Sequence, residues 1–306
     1  MVESAREGRS ESRDVWSVQR AVAWVASDLR RLGIESPRLE AEVLVGHVLG
    51  LTRLQVYLRF EQPLTAAERQ ALREALRRRR SREPLAYILG EKEFFGRAFA
   101  VDQTVLVPRP ETEELVEMAL AHLRDHPTPQ VLDIGSGSGA IAVTIACEVP
   151  NASVHALEPS QAAANTLVRN AQKHDVASRI TVHRSGVEDF GDAGRLFDAV
   201  LANLPYLRQD EVASLAPEIA YEPLMALEAG ADGLDVYRLM VRAIASGRIR
   251  LAVGALVLLE MAPDQGEALV GLFEQSCSWL ERGEVLRDTS GRPRFVAWRA
   301  PNGPAQ

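Results

Sequence analysis

Apolar residues recur at helical spacing at Val18, Val22, Val25, Leu29 and Leu32, and Gly33 offers a left-handed stop, so the pattern predicts a first helix from Ser17. Ser36-Pro37 places an N-cap before a proline at the first helical position and opens a second helix that ends at Gly50. A short helix is expected from Thr52 to about Phe60, and Thr65-Ala66-Ala67-Glu68 matches a capping box ahead of an arginine-rich helix. At Glu83-Pro84 the pattern breaks, because a residue before proline is pushed out of the α region. The stretch Leu85 to Pro110 is rich in aromatic and β-branched residues with turns at Gly90 and Gly96, and reads as a β-hairpin. Beyond Pro110 the period alternates. Strands are expected at 131–134, 154–157, 180–183, 197–202 and 251–260, with helices at 111–123, 140–148, 161–174 and 234–244. Alternation of this kind predicts an α/β fold with a parallel sheet covered on both faces. After a helix at 266–273, strands near 284–286 and 295–298 are expected to form a reversed edge pair.

The boundaries that follow are a polar tail at 1–14, a helical domain at 15–83, a hairpin linker at 84–110, a main α/β domain at 111–300 and a short tail at 301–306. A chain of 306 residues, 46% hydrophobic and 25% charged, has the length for one large and one small domain. The formal charge of -7 argues against sequence-independent capture of a polyanion, so no stable nucleic-acid partner is expected. Cys147 and Cys277 are far apart in apolar helical surroundings, which indicates neither disulfide nor metal site and fits a reducing cytoplasm. The first fourteen residues lack the apolar core of a signal peptide, and the apolar run Leu251 to Met261 is too short to span a bilayer. No membrane association is expected.

Two segments carry candidate chemistry. Val131-Leu132-Asp133-Ile134 runs into Gly135-Ser136-Gly137-Ser138-Gly139, a strand ending in a glycine turn at a helix start, where missing Cβ atoms let backbone approach a ligand closely. Glu158, at the end of the next strand, can accept both ribose hydroxyls of an adenosine. Gly135, Gly137 and Ala140 also fit a relaxed dinucleotide fingerprint, so a nicotinamide enzyme is a rival reading. Asp133 favours S-adenosylmethionine instead, because a carboxylate there can serve a cationic, amine-bearing methionine end rather than a pyrophosphate. The second segment is Asn203-Leu204-Pro205-Tyr206. The Asn203 side-chain carbonyl and the Leu204 backbone carbonyl can accept both N–H donors of a planar amide or exocyclic amine, and Tyr206 can stack on it. Together the segments point to methyl transfer to such a nitrogen, with Asn203 at the meeting of the two sites.

With these motifs the chain resembles the release-factor glutamine N5-methyltransferases, which modify the glutamine of the Gly-Gly-Gln loop of peptide chain release factors. The likeness runs from about Ser17 onward and includes Pro84-Leu85-Ala86-Tyr87-Ile88-Leu89-Gly90, Pro108-Arg109-Pro110-Glu111-Thr112-Glu113, Tyr221-Glu222-Pro223-Leu224 and Asp288-Thr289-Ser290-Gly291-Arg292. It implies a Rossmann-like class I methyltransferase sheet with a reversed C-terminal edge strand, after a helical domain that helps dock the release factor. It also implies cofactor contact by Gly135 through Gly139 and Glu158, and substrate contact by Asn203 through Tyr206. Leu204 stands where the family usually has proline, which leaves the accepting carbonyl in place but makes loop rigidity less assured. Gly186-Val187 stand where the family tends to put an acidic and an aromatic residue near the adenine, with Glu188 or Asp189 as substitutes for reaching its amine. An adenine-N6 methyltransferase of nucleic acids presents the same two donors and is the alternative function. A scaffold that has lost activity is a third, supported by Leu204 alone.

Other residues have plainer readings. Arg77 to Arg80 are expected to form a solvated helical face that complements the helix dipole, the alternative being contact with an acidic release-factor surface or RNA. Arg109 fits either an approach to the active site or a structural ion pair. Phe94 and Phe95 are expected in the hairpin core, Trp16 and Trp24 in the helical domain, and His47 as a satisfied or half-exposed side chain.

Overall fold

A computed structural model describes residues 16–191 and 194–302, so the predicted tails lie outside the described residues apart from Pro301 and Asn302. The chain divides into two compact units between Leu89 and Gly90. The first consists of α1 (Val18–Arg31), α2 (Pro37–Leu49), α3 (Arg53–Leu58), α4 (Ala66–Arg80) and α5 (Leu85–Leu89). Thr52 and Thr65 head full capping boxes with Gln55 and Glu68, which satisfies orphan N–H groups at two helix starts. Val22, Val25 and Leu29 of α1 are buried with Leu44 and Val45 of α2 and Leu72 and Leu76 of α4. Trp16 and Trp24 meet edge to face beside them, with ring centroids 5.4 Å apart.

Polar stitches hold these helices. The buried Glu42 carboxylate accepts from Arg38 (2.9 Å), Arg53 (2.8 Å) and the Tyr57 hydroxyl (2.5 Å). Burial raises its pKa, but those donors outweigh burial and leave it below the usual carboxylate value. The arginine run is only in part the solvated face expected of it, with Arg77 and Arg80 exposed and Arg79 buried. Arg77 pairs with Glu74, Arg78 with Glu83, Arg79 with Glu40 of α2 and Arg80 with Asp28 of α1, and the Arg79 side chain is only 5% exposed. Four guanidinium groups so close together are tolerated because each has its own carboxylate.

The second unit opens with a hairpin, β1 (Glu91–Phe94) and β2 (Arg97–Ala100), turned by Phe95 and Gly96 at positive φ. The hairpin is shorter than the 84–110 expected. Proline restricts Glu83 before it, yet Pro84 itself is compatible with a first helical turn, and its carbonyl accepts from the N–H groups of Tyr87 and Ile88. The hairpin also belongs to the second unit rather than linking the two. Phe94 and Phe99 meet edge to face in the core of that unit, and the buried Asn170 bonds both backbone groups of Ala100.

After α6 (Pro110–Leu123) come β3 (Gln130–Ile134), α7 (Ala140–Glu148), β4 (Ser153–Leu157), α8 (Gln161–Lys173), β5 (Ile180–His183), β6 (Leu196–Asn203), α9 (Asp235–Ala245), β7 (Arg250–Glu260), α10 (Gly266–Ser276), β8 (Glu284–Arg287) and β9 (Pro293–Arg299). The sheet runs β5-β4-β3-β6-β7-β9-β8, parallel from β5 through β7. β9 runs antiparallel to β7 and to β8, so the reversed strand sits one place in from the edge and β8 closes the sheet. Side chains alternate between faces along each strand. Leu132, Ile134, Val200, Val257 and Leu259 pack with α9 and α10, whereas Val131, Ala199, Leu201, Leu256 and Leu258 pack with α6, α7 and α8. That alternation decides which polar residues at the strand ends face which helices.

Candidate active site

The carboxyl ends of β3, β4, β5 and β6 open onto one cavity of about 240 Å³. Ligands bind at this position in open parallel sheets because neighbouring loops part there. Gly135, Gly137 and Gly139 all lie at positive φ (74°, 52° and 81°), which only glycine adopts freely. The loop is tied down at several points. The N–H groups of Gly135 and Ser136 donate to the Leu157 carbonyl, and that of Gly139 to Ser136. A Cβ at Gly139 would come within 2.8 Å of Leu167, so the turn is packed closely against α8. Asn170 on α8 also donates to the Ser138 carbonyl, holding the loop against the hairpin.

Glu158 lies across the cavity wall with its Oε2 accepting from Gly137 N (2.8 Å) and its Oε1 from Ser160 N (2.8 Å). Burial pushes its pKa up, and the two amides oppose that. Each oxygen keeps acceptor capacity for a further hydroxyl. Asp133 has no exposed surface. Its side chain points toward α7, where Oδ2 accepts from Ala142 N (3.2 Å), and burial drives its pKa up to about 7. Its Oδ1 has no partner within the described residues.

Of the residues the sequence singled out, Gly135, Gly137, Glu158, Gly186, Val187, Asn203, Leu204 and Pro205 line this cavity together. Asp133, Ser136, Ser138 and Gly139 stand behind the lining and shape the loop. Glu188, the substitute weighed for the adenine side, is in the lining and folds over Gly186. Tyr206 is half-buried against the β6–α9 core, with its backbone carbonyl bound by Gln265 Nε2 (3.0 Å). The same Gln265 amide donates to Gly233 O (3.2 Å) and Asp232 O (3.5 Å), clamping the loop after β6. Leu204 is buried, and a Cβ on Gly135 would lie 3.1 Å from its Cδ2. The leucine that replaces proline thus wedges over the glycine turn, and packing supplies the rigidity that a ring would have given.

Asn203 pairs in register with Glu260 on β7, and both face the start of α6. There Thr112 takes a hydrogen bond from Asn203 Nδ2 (3.0 Å) and gives one to Glu260 Oε2 (2.7 Å). Asn203 itself lines the cavity, and with its NH2 group engaged by Thr112 its Oδ1 is the end of the amide left to accept a further bond. The Leu204 carbonyl, preceding a proline that has no N–H, likewise receives no backbone donor among the described residues. Thr112 and Glu260 were missed as site residues, although a carboxylate closing an eleven-residue, mostly apolar strand was a signal. Arg109 makes the ion pair, with Glu222 at 2.6 Å, so the Pro108–Pro110 and Tyr221–Leu224 segments meet at one contact.

A family model described as the PrmC N-terminal domain matches residues 20–90, and one described as a methyltransferase domain matches residues 131–221. A release factor glutamine methyltransferase of Geobacter sulfurreducens is 39% identical over 294 residues, covering 95% of this chain and 99% of the relative. The chain belongs to the release factor glutamine methyltransferase family. A member from Chlorobaculum tepidum is 40% identical over 271 residues, covering 86% of this chain and 91% of its own length. Among solved structures, the catalytic domain of hMettl16 in complex with MAT2A 3'UTR hairpin 6 superposes with a TM-score of 0.53 at 12% identity, over 68% of this chain and 77% of that one, a likeness of fold. Membership in the family makes this chain a methyltransferase and removes the nicotinamide reading of the glycine turn. No helix among the described residues is long and apolar enough to cross a membrane.

Proposed function

We propose that this enzyme transfers the methyl group of S-adenosylmethionine to the side-chain amide nitrogen of the glutamine in the Gly-Gly-Gln loop of peptide chain release factors, in the cytoplasm. The hydrogen bonding of the Asn203 amide carries the reading: the bond from Nδ2 to Thr112 leaves Oδ1 of this cavity-lining residue as the end that can accept. An acceptor in that position, beside the free Leu204 carbonyl, suits a flat NH2 group that must be held by both its hydrogens.

The cavity fits the methyl donor. Gly135 and Gly137 line it without side chains, and Glu158 offers two carboxylate oxygens to a ribose. Glu188, in the lining beside Gly186, offers a carboxylate that could accept from an adenine amine. When bound, S-adenosylmethionine supplies an electrophilic methyl on a positively charged sulfur. The residues of this chain orient the acceptor. Asn203 Oδ1 and Leu204 O take the two N–H donors, which sets the nitrogen lone pair perpendicular to the amide plane and toward the donor side. With the donor bound, the nitrogen so held would take the methyl group as the carbon–sulfur bond returned its electron pair to sulfur, and Asn203 and Leu204 are the residues that would keep it in line. The nitrogen then sheds one proton to water, an easy step because a positively charged amide nitrogen is strongly acidic. Orientation and fixed dipoles supply the acceleration, and no side-chain base is needed.

The test is a methyl-acceptor assay with the full chain, offering purified release factor in one reaction and duplex DNA in another. Label on the release factor, mapped to the Gly-Gly-Gln glutamine and absent when that residue is Asn, is the expected result. Label on DNA alone would replace this reading with adenine methylation.

A further inference from the structure

Thr112 and Glu260 lie outside the cavity lining, yet a chain of hydrogen bonds joins them to the amide of Asn203. An amide has two ends of similar shape and opposite hydrogen-bonding character. We infer that Glu260, acting through Thr112, is a positioning residue that decides which end of the Asn203 amide faces the substrate. The inference rests on the proposed function for its consequence in turnover, though not for the orientation itself.

An ionised carboxylate only accepts, so the single proton of the Thr112 hydroxyl is committed to Glu260 Oε2 at 2.7 Å. What Thr112 has left is lone pairs. Asn203 must then present its NH2 to Thr112, as seen at 3.0 Å, and its Oδ1 to the cavity. A protonated Glu260 reverses the chain. Its own O–H donates to Thr112, the threonine proton becomes free to donate to Asn203 Oδ1, and the flipped amide aims NH2 at a substrate NH2. Donor then faces donor, and the acceptor site is lost.

Glu260 is 1% exposed, and burial raises its pKa to about 7, opposed by the Thr112 bond. Charged and titratable groups face it from each neighbouring element: Arg109 and Glu111 at the start of α6, Arg294 on β9, and Tyr206 after β6. Tyr237 on α9 donates to the Glu260 backbone carbonyl at 2.6 Å, fixing the strand end without touching the carboxylate. The carboxylate is therefore poised to change state within the working range of most enzymes.

Three variants of the full chain test this: Thr112→Val, Thr112→Ser and Glu260→Gln, each checked for unaltered S-adenosylhomocysteine affinity by titration calorimetry. Thr112→Val should lower kcat on the release factor at least tenfold with KM within threefold, and Thr112→Ser, which keeps the hydroxyl, should stay within threefold of the parent. The parent's kcat should fall about tenfold from pH 8 to pH 6, the ratio set by one group titrating near 7, and this ratio should shrink at least threefold in Glu260→Gln. The orientation is read independently from the Asn203 side-chain amide resonances by NMR, which should shift across pH 6 to 8 in the parent and not in Glu260→Gln. A Thr112→Val enzyme with parental kcat, or an Asn203 resonance that moves identically in Glu260→Gln, overturns the inference. A parent that leaves the release factor unmethylated sinks the proposed function instead, and the NMR result still decides the orientation.

Discussion

At the residue scale, the site depends on acceptors held in place rather than on acids and bases. Asn203 is central because its amide oxygen is aimed by a bond made at its other end. Replacing Asn203 with Ala should leave S-adenosylhomocysteine affinity within a few-fold, since the cavity walls at Gly135, Gly137 and Glu158 are untouched. It should lower kcat by at least roughly a hundredfold, the scale of losing one preorganised transition-state hydrogen bond. Calorimetry beside single-turnover kinetics checks both halves, and an unchanged single-turnover rate would remove Asn203 from the mechanism. Leu204 belongs to the same scale. Its departure from proline looks like a loss of stiffness, but the buried side chain against Gly135 and the Gln265 clamp on Tyr206 leave the loop well supported.

At the scale of elements, the helical unit is held by side chains that a hydropathy pattern treats as surface. Arg79 of α4 and Glu40 of α2 form a pair at 2.7 Å, with the arginine almost wholly enclosed. Arg79→Ala strips the partly buried Glu40 carboxylate of its cation and empties a well-packed site, so it should destabilise the protein by about 3 kcal/mol. Arg77→Ala should not shift the urea midpoint measurably, because both Arg77 and Glu74 are largely exposed. Equal midpoints for the two variants would show that the pair does not hold the helices together. The arginine run illustrates what a sequence withholds: four basic residues in a row read as solvated, and only the helix packing reveals Glu40 of α2 opposite Arg79 and Asp28 of α1 opposite Arg80. The sheet was far more legible. Apolar runs at β3, β6 and β7 and capped, periodic helices between them specify parallel strands through local chemistry. The glycine turn and Asn203 were legible for the same reason, since strand-end motifs act within a few residues. Thr112 and Glu260 were not, because they lie 148 positions apart and meet only where the start of α6 packs against the end of β7. α5 was misread because the restriction on Glu83 was extended to the proline after it.

For the molecule as a whole, buried titratable groups tilt stability in opposing directions. Glu260 and Asp133 are raised to about 7 by burial, so the folded state holds protons that the unfolded chain releases near pH 4. Their contribution is present at low pH and lost as pH rises through about 7. His155, stacked on His183 beneath Phe197, is lowered by burial to about 4, so its contribution is present above its ordinary value and lost as pH falls toward 4. Glu260→Gln removes one side of this balance. Relative to the parent, the variant should gain about 2.5 kcal/mol of stability between pH 5 and pH 8, the part of the shift that falls in this window times the energy of one pKa unit. Urea unfolding at both pH values measures the difference, and a constant offset would mean Glu260 is already ionised at pH 5. The glycine turn adds a constraint of its own: Glu158 is bonded to the backbone of both Gly137 and Ser160, so the ends of β3 and β4 are coupled through one carboxylate, and a change that unseats it would loosen both loops at once.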